Sequence, residues 1–285
     1  METRVKSSSQ EVLIDENRPT ILIGERINPT GKKKVAEALK TGNMKILREE
    51  AITQVNAGAD ILDVNVVTSG VDELDLLPHV VRVIMESVDV PLCIDINNPK
   101  ALESALKVYE GKPIVNSVTG GESSLDTILP LVKTYGAAVI GLTMDESGIP
   151  KNPEKRLSIA RKIIERAERL EIAREDIIID CLALTVGADN QAAVVTLEAI
   201  RKVRSELGVN QTLGASNISF GLPERNVINH SFLSMAIAAG VTCPTVDAAK
   251  TRSAILAADL ILGRDRFAQR YIRDFRRREK GDISL

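Results

Sequence analysis

The sequence predicts a single-domain (β/α)8 barrel of the TIM class, and three observations predict it. Eight short apolar runs of β type alternate with segments of helical period. Five of the runs end in an acid or an amide. A barrel of this kind takes about 250 residues, so a chain of 285 holds one, with short segments to spare at its ends.

The β-type runs lie at 20–24, 59–66, 90–95, 113–116, 137–142, 176–181, 211–216 and 241–246. Between the first two, residues 44–57 carry Ile46, Leu47, Ile52 and Val55 on one helical stripe, and Gly58 stops the helix. A helix over 74–88 follows the second run. The next, over 99–109, opens with Pro99, whose fixed φ and missing N–H suit a first turn, and Gly111 ends it. Residues 125–135 end at Gly136. Asn152-Pro153 opens a long helix over 153–170, with the Asn side chain as its cap. Helices over 190–207, 224–239 and 248–262 end at Gly208, Gly240 and Gly263. Strict alternation favours a closed parallel barrel. An open doubly wound sheet is the alternative, but no Gly-x-Gly-x-x-Gly follows the first run. The barrel takes residues 19–263. Residues 1–18 are polar and lack an apolar signal core, so a flexible tail is expected. Residues 264–285 are expected to form a basic C-terminal helix. It carries Arg264, Arg266, Arg270, Arg273, Arg276, Arg277, Arg278 and Lys280, with Tyr271, Ile272 and Phe275 between them. It reads as a solvated closing helix or a surface for an acidic partner.

Composition narrows the function. Apolar residues make up 44% of the chain but aromatics only 2%, with no Trp, so the core is aliphatic, as in buried parallel strands. So few aromatics give no stacking platform for single-stranded nucleic acid. A net charge of −2 gives no general attraction to nucleic acid or to an anionic membrane. No apolar run approaches the length of a membrane span. Cys93, Cys181 and Cys243 are widely separated, and the two histidines, His79 and His230, lie in helical contexts. That pattern reads as buried reduced thiols of a cytoplasmic protein, with no metal site.

The strand ends carry the chemistry. They read Asp63-Val64-Asn65, Asp95-Ile96-Asn97, Asn116-Ser117, Asp180-Cys181 and Ser216-Asn217. In a parallel barrel such positions converge on one face. Each alone is a plausible cap for the next helix. Capping needs no shared geometry, however, so their recurrence on several strands points to one pocket. A carboxylate accepts two parallel hydrogen bonds from a fork of adjacent N–H donors, and a carboxamide offers one donor and one acceptor beside it. Asp95, Asn116 and Asp180 suit a neutral heterocycle with an N–H-rich edge, and no cation stands among them to suit a phosphate.

Gly24-Glu25-Arg26-Ile27-Asn28, Leu62-Asp63-Val64-Asn65, Cys93-Ile94-Asp95, Val115-Asn116-Ser117, Ile179-Asp180 and Gly214-Ala215-Ser216-Asn217-Ile218-Ser219 stand in order. Gly141-Leu142-Thr143-Met144 with Gly148-Ile149-Pro150 adds the fifth run. Together they resemble the pterin-binding methyltransferases that act on methyltetrahydrofolate and a corrinoid protein, over about residues 21–263. The resemblance implies that Asp95, Asn116 and Asp180 hold the pterin ring. It implies that Asn217 hydrogen-bonds N5, the atom that carries the methyl group. Asp63 and Asn65 match further pocket residues, and Asn28 lies on the rim. It also implies a homodimer, tetrahydrofolate or methyltetrahydrofolate as substrate, a corrinoid (cobalamin) brought by a separate partner protein, and no metal of the chain's own. The loop Phe220-Gly221-Leu222-Pro223-Glu224-Arg225 departs from the family's pattern, which leaves the corrinoid partner open.

The resemblance leaves two directions of methyl transfer. One passes methyl from a methylcorrinoid to tetrahydrofolate, as the second methyltransferase of a demethylase system. The other methylates a corrinoid iron–sulfur protein in an acetyl-CoA pathway. The divergent loop favours the first. Dihydropteroate synthase is a rival sharing the barrel and pterin pocket. Its departing diphosphate calls for Lys and Arg after the seventh strand, where this chain has Ser216-Asn217-Ile218-Ser219. Lys250 and Arg252, near the eighth run, read as solvated residues at a helix start. A folate-binding module without chemistry is the second rival. A SAM-dependent enzyme is disfavoured by the absence of a glycine-rich first loop.

Overall fold

A computed structural model describes residues 1–279; Lys280 of the expected basic helix lies outside the described residues. The chain opens with a hairpin, β1 (Thr3–Lys6) and β2 (Glu11–Ile14). The barrel then runs through β3 (Ile23–Ile27), α1 (Lys33–Thr41), α2 (Met44–Asn56), β4 (Ile61–Asn65), α3 (Glu73–Met85), β5 (Leu92–Asp95) and α4 (Pro99–Val108). It continues through β6 (Ile114–Thr119), α5 (Glu122–Tyr135), β7 (Ala138–Leu142), α6 (Pro153–Arg169), β8 (Ile177–Asp180) and α7 (Ala192–Leu207). β9 (Gln211–Thr212), α8 (Arg225–Ala239), β10 (Thr245–Val246) and α9 (Ala248–Ile261) complete the ring, and α10 (Gln269–Glu279) follows. All pairings around the sheet are parallel, in the order β10-β3-β4-β5-β6-β7-β8-β9. A parallel bridge from Gly214 to Thr245 closes it. The expected eight-stranded barrel is the fold.

Two apolar layers follow from strand periodicity. Alternate residues of a strand face opposite sides. Ile23, Ile61, Cys93, Ile114, Ala138, Ile140, Ile178 and Cys243 point into the barrel and pack as one cluster. Their neighbours Leu22, Leu62, Leu92, Ile94, Val115, Val139, Ile177 and Ile179 face outward, against the helices. Asn98 and Asn152 cap α4 and α6, each side chain accepting from two backbone N–H groups, with Pro99 and Pro153 in the first turns as expected.

The first 18 residues are not a flexible tail. Val5, Val12 and Ile14 of the hairpin belong to the cluster inside the barrel, and Val5 and Ile14 are fully buried. The hairpin therefore plugs the end where the strands begin. Its backbone is tied down as firmly as its side chains. Lys6 and Lys112 exchange N–H···O bonds of 2.9 and 3.0 Å. Tyr109 donates its hydroxyl to Lys6 O at 2.7 Å, and burial pushes that phenol up to about 12. Asn210 Nδ2 donates to Ile14 O at 2.9 Å. Gly111 permits this contact: its φ is +122°, and a Cβ there would stand 2.4 Å from Lys6 O.

The basic C-terminal segment is only partly solvated. Arg264 and Arg270 pair with Asp259, which is fully buried in α9. Arg252, Arg277 and Arg278 converge on Asp274. Arg252, expected to be solvated, instead reaches between helices and donates to Gly58 O at 2.6 Å. Ion pairing with two inward-turned aspartates thus fixes α10 against the barrel. Phe267, Ile272 and Phe275 remain exposed.

Ile14→Ala removes a buried anchor of the plug and should cost about 2–5 kcal/mol of unfolding free energy. Urea denaturation checks it. A change within about 0.5 kcal/mol, as at an exposed site, would show that the hairpin does not seal the barrel.

Candidate active site

The strand positions that fill the barrel also build its mouth. Two residues beyond Ile23, Ile61, Cys93, Ile114 and Ile178 come Glu25, Asp63, Asp95, Asn116 and Asp180. Period two sends them to the same inner face, one layer nearer the C-terminal ends of the strands. Asn65 lies two residues beyond Asp63. The register places Asn65 opposite Asp95, and Asp95 opposite Asn116. Asn65 Nδ2 donates to Asp95 Oδ2 at 2.8 Å, and Asn116 Nδ2 donates to Asp63 Oδ1 at 3.1 Å. Four of the expected site residues are therefore joined directly. Asp180 stands on β8 and is held separately: its Oδ1 accepts from Leu182 N at 2.6 Å.

Burial dominates the electrostatics of this ring. Desolvation raises Asp63 well above the ordinary carboxylate range, the neighbouring Asp95 charge adds to it, and the Asn116 bond opposes it. Asp95 is raised by burial and eased by Asn65. Burial pushes Asp180 up to about 6, against the Leu182 N–H bond. Glu25 is raised by burial, while the Lys32 charge pulls it down. Lys32 donates to Glu25 O at 3.0 Å, and burial lowers its own pKa. The mouth is thus acidic, partly dehydrated and lined by carboxamides. It offers acceptors for an N–H fork and mixed partners beside them.

The remaining two expected residues sit differently. Asn217 lies on a 3-10 turn, Ala215–Ser219, that follows β9, and it is exposed. Its side chain makes no hydrogen bond among the described residues, so its amide is free to turn toward a ligand. Gly214 leaves it room: a Cβ there would stand 3.1 Å from Asn217 Nδ2. Asn28 uses Oδ1 to accept from Thr30 N at 2.9 Å, which shapes the loop after β3.

Two contributors were not among the expected residues. Glu25 escaped because the first run was expected to end at Gly24, which put Glu25 in a loop. Arg156 of α6 is 1% exposed and has no carboxylate partner in hydrogen-bond contact. It donates to Pro150 O at 2.7 Å, Cys181 O at 2.6 Å, Leu182 O at 2.8 Å and Thr196 Oγ1 at 3.1 Å. These bonds satisfy carbonyls in the segment after Asp180, where Leu182 has a φ of +59°. Arg156 therefore fixes the turn whose N–H holds the Asp180 carboxylate. Among the described residues no group of His, Cys, Asp and Glu is arranged to hold a metal ion. No helix among them is long and apolar enough to cross a membrane.

The family model described as "pterin binding enzyme" matches residues 24–247. The chain is 30% identical over 273 residues to a methylcorrinoid:tetrahydrofolate methyltransferase of Eubacterium limosum, covering 92% of this chain and 98% of that protein. It is 31% identical over 250 residues to methionine synthase of Mycobacterium leprae, covering 82% of this chain but only 20% of that much longer protein. Among solved structures, dihydropteroate synthase of Yersinia pestis superposes with a TM-score of 0.71 at 16% identity, covering 92% of this chain and 100% of that one, a likeness of fold alone. The matched stretch contains every residue of the acid-and-amide mouth, and by that match the chain belongs to the pterin binding enzyme family.

Proposed function

We propose that this protein transfers a methyl group from a methylcorrinoid, carried by a separate protein, to N5 of tetrahydrofolate. The observation that carries the reading is the mouth itself: carboxylates and carboxamides at the strand ends, and beside it a carboxamide, Asn217, with no side-chain hydrogen bond among the described residues. End-to-end similarity to a methylcorrinoid:tetrahydrofolate methyltransferase supports the direction. In this reading Asp180 accepts the N–H fork of the pterin, and Asp95 and Asn116 meet the adjoining edge. Asp63 and Asn65 orient Asn116 and Asp95 through the bonds described above. Glu25 adds a buried acidic wall.

The chain's contribution is positioning and hydrogen bonding. When N5 takes the methyl group it becomes a protonated amine, and the carbon–cobalt bonding pair stays with the corrinoid. Asn217 Oδ1 accepts a hydrogen bond from N5–H in that state, and the proton then leaves to solvent. In reverse, N5 departs from the methyl group with its lone pair, and the same amide supports the protonated amine from which it leaves. A carboxamide serves both states without a buried charge. A dihydropteroate synthase reading would need cations for diphosphate; Arg252 is engaged by Asp274 and Gly58 O on the flank, Arg225 by Ser216 O and Ser219 Oγ, and Lys32 by Glu25 O. We read the chain as working in the cytoplasm as a homodimer.

Asn217→Ala should lower kcat by about 10- to 1,000-fold, with the Kd for tetrahydrofolate nearly unchanged. The assay is anaerobic loss of the methyl–cobalt absorbance with methylcobalamin or a methylated corrinoid protein. An unchanged kcat would remove Asn217 from the reaction.

Asp180 gives a pH signature. Its carboxylate accepts the fork only when ionised, and its pKa is raised to about 6. Tetrahydrofolate affinity should therefore be flat above that pH and weaken by up to about tenfold per unit below it. Asp180→Asn should bind weakly throughout and lose this slope. Fluorescence titration from pH 5 to 8 measures both; a wild-type Kd in the variant would place the fork elsewhere.

A further inference from the structure

A cleft of about 530 Å3 lies on the flank of the barrel, outside the mouth, among α2, α8, α9 and α10. Its volume suits a small ligand. β3 separates it from the mouth: Glu25 faces inward, and Arg26, next along the strand, lines the cleft. The cleft reaches the rim of the mouth, because its wall residue Asp247 directly follows β10.

Among the described residues, two buried atoms in these walls have no partner. Gln54 is 2% exposed; its Oε1 accepts from Arg26 N at 2.9 Å, which fixes the amide's orientation and leaves Nε2 an unmet donor. Asp247 engages Arg26 Nη1 through Oδ2 at 3.2 Å, and its buried Oδ1 is an unmet acceptor. Buried polar groups are ordinarily satisfied. One atom here calls for an acceptor and the other for a donor, the pair that a secondary amide presents. The walls carry four cations, Arg26, Lys250, Arg252 and Arg278, against three anions, Glu50, Asp247 and Asp274. Arg26 is held by Glu50 and Asp247, and Arg252 and Arg278 share Asp274. Lys250 has only a 3.7 Å approach to Asp247, and its side chain is 60% exposed. Among the described residues the excess charge is therefore positive and lies on Lys250.

We infer that this cleft binds a carboxylate that carries a secondary amide, the chemistry of a glutamyl peptide. Its carbonyl accepts from Gln54 Nε2, its N–H donates to Asp247 Oδ1, and its carboxylate meets Lys250. Two sources share this chemistry. One is the glutamyl tail of a folate whose ring occupies the mouth, and this source rests on the proposed function. The other is a free glutamyl compound, which does not depend on it.

Calorimetric titration of the full chain with γ-glutamylglutamate tests the site, and titration with the mono- and triglutamates of tetrahydrofolate separates the sources. Gln54→Glu keeps the acceptor for Arg26 N–H but replaces the donor with a carboxylate oxygen, so binding at the cleft should weaken at least about tenfold. Lys250→Ala, at an exposed position, should weaken it several-fold. Saturable dipeptide binding that both variants impair supports the site. A triglutamate advantage that Gln54→Glu abolishes assigns the tail; equal affinity of the two folates, with dipeptide binding present, assigns a free ligand. The inference is overturned if the dipeptide fails to saturate by about 10 mM and the triglutamate has no advantage, or if neither variant alters the binding observed. Failure of the monoglutamate to bind would count against the folate reading and leave the dipeptide result standing.

Discussion

The period-two face of the inner strands governs both stability and chemistry. Ile61 and Asp63 share one face of β4, as Cys93 and Asp95 share one face of β5 and Ile178 and Asp180 one face of β8. The lower member of each pair packs in the apolar centre, and the upper one lies in the mouth. A slip of one residue in any strand would bury its acid among the helices and turn an outward apolar residue into the mouth. Register is therefore set by the core and inherited by the site. The same placement explains the raised carboxylates: they sit directly above packed hydrocarbon, with little water beneath them. Desolvation of this kind is tolerated because each acid has an amide or backbone donor, Asn116 for Asp63, Asn65 for Asp95, and Leu182 for Asp180.

The opposite end of the barrel supports this arrangement. The hairpin closes it with Val5, Val12 and Ile14, so the strands need no further apolar layer there. Arg156 performs a comparable task beside the mouth. A buried guanidinium without an ion partner is costly unless its donors are met, and here carbonyls and a threonine hydroxyl meet them. Its charge is spent on holding a turn, which leaves the mouth itself acidic.

The fold was legible because parallel strands and their covering helices have different periods, and glycines punctuate most of them. Four candidate residues, Asp63, Asn65, Asp95 and Asn116, were legible for the same reason, since each lies at or near the end of an apolar run; the structure bonds them in two pairs, Asn65 to Asp95 and Asn116 to Asp63. The hairpin was not. Thr3-Arg4-Val5-Lys6 and Glu11-Val12-Leu13-Ile14 do alternate, but each is only four residues long, and polar composition outweighed so short a pattern. Glu25 was lost to a strand boundary placed at Gly24, where β3 in fact continues to Ile27. Arg252 and Arg156 were illegible for a different reason. Long side chains choose partners from segments remote in sequence, and nothing local to either residue announces Gly58 or Leu182.

That last class of contact also makes β3 more than one stave among eight. Gln54, Glu50 and Asp247 grip Arg26 by its backbone N–H and its guanidinium from the outside. Glu25, its neighbour in sequence, stands in the mouth within the field of Lys32 and of the same Asp247. Gly24 fits beneath only because it lacks a Cβ, which would stand 2.4 Å from Gln54 Oε1. Gly24 and Arg26 thus pack against Gln54 and Glu50 of α2 on the flank, while Glu25 between them turns its carboxyl into the mouth.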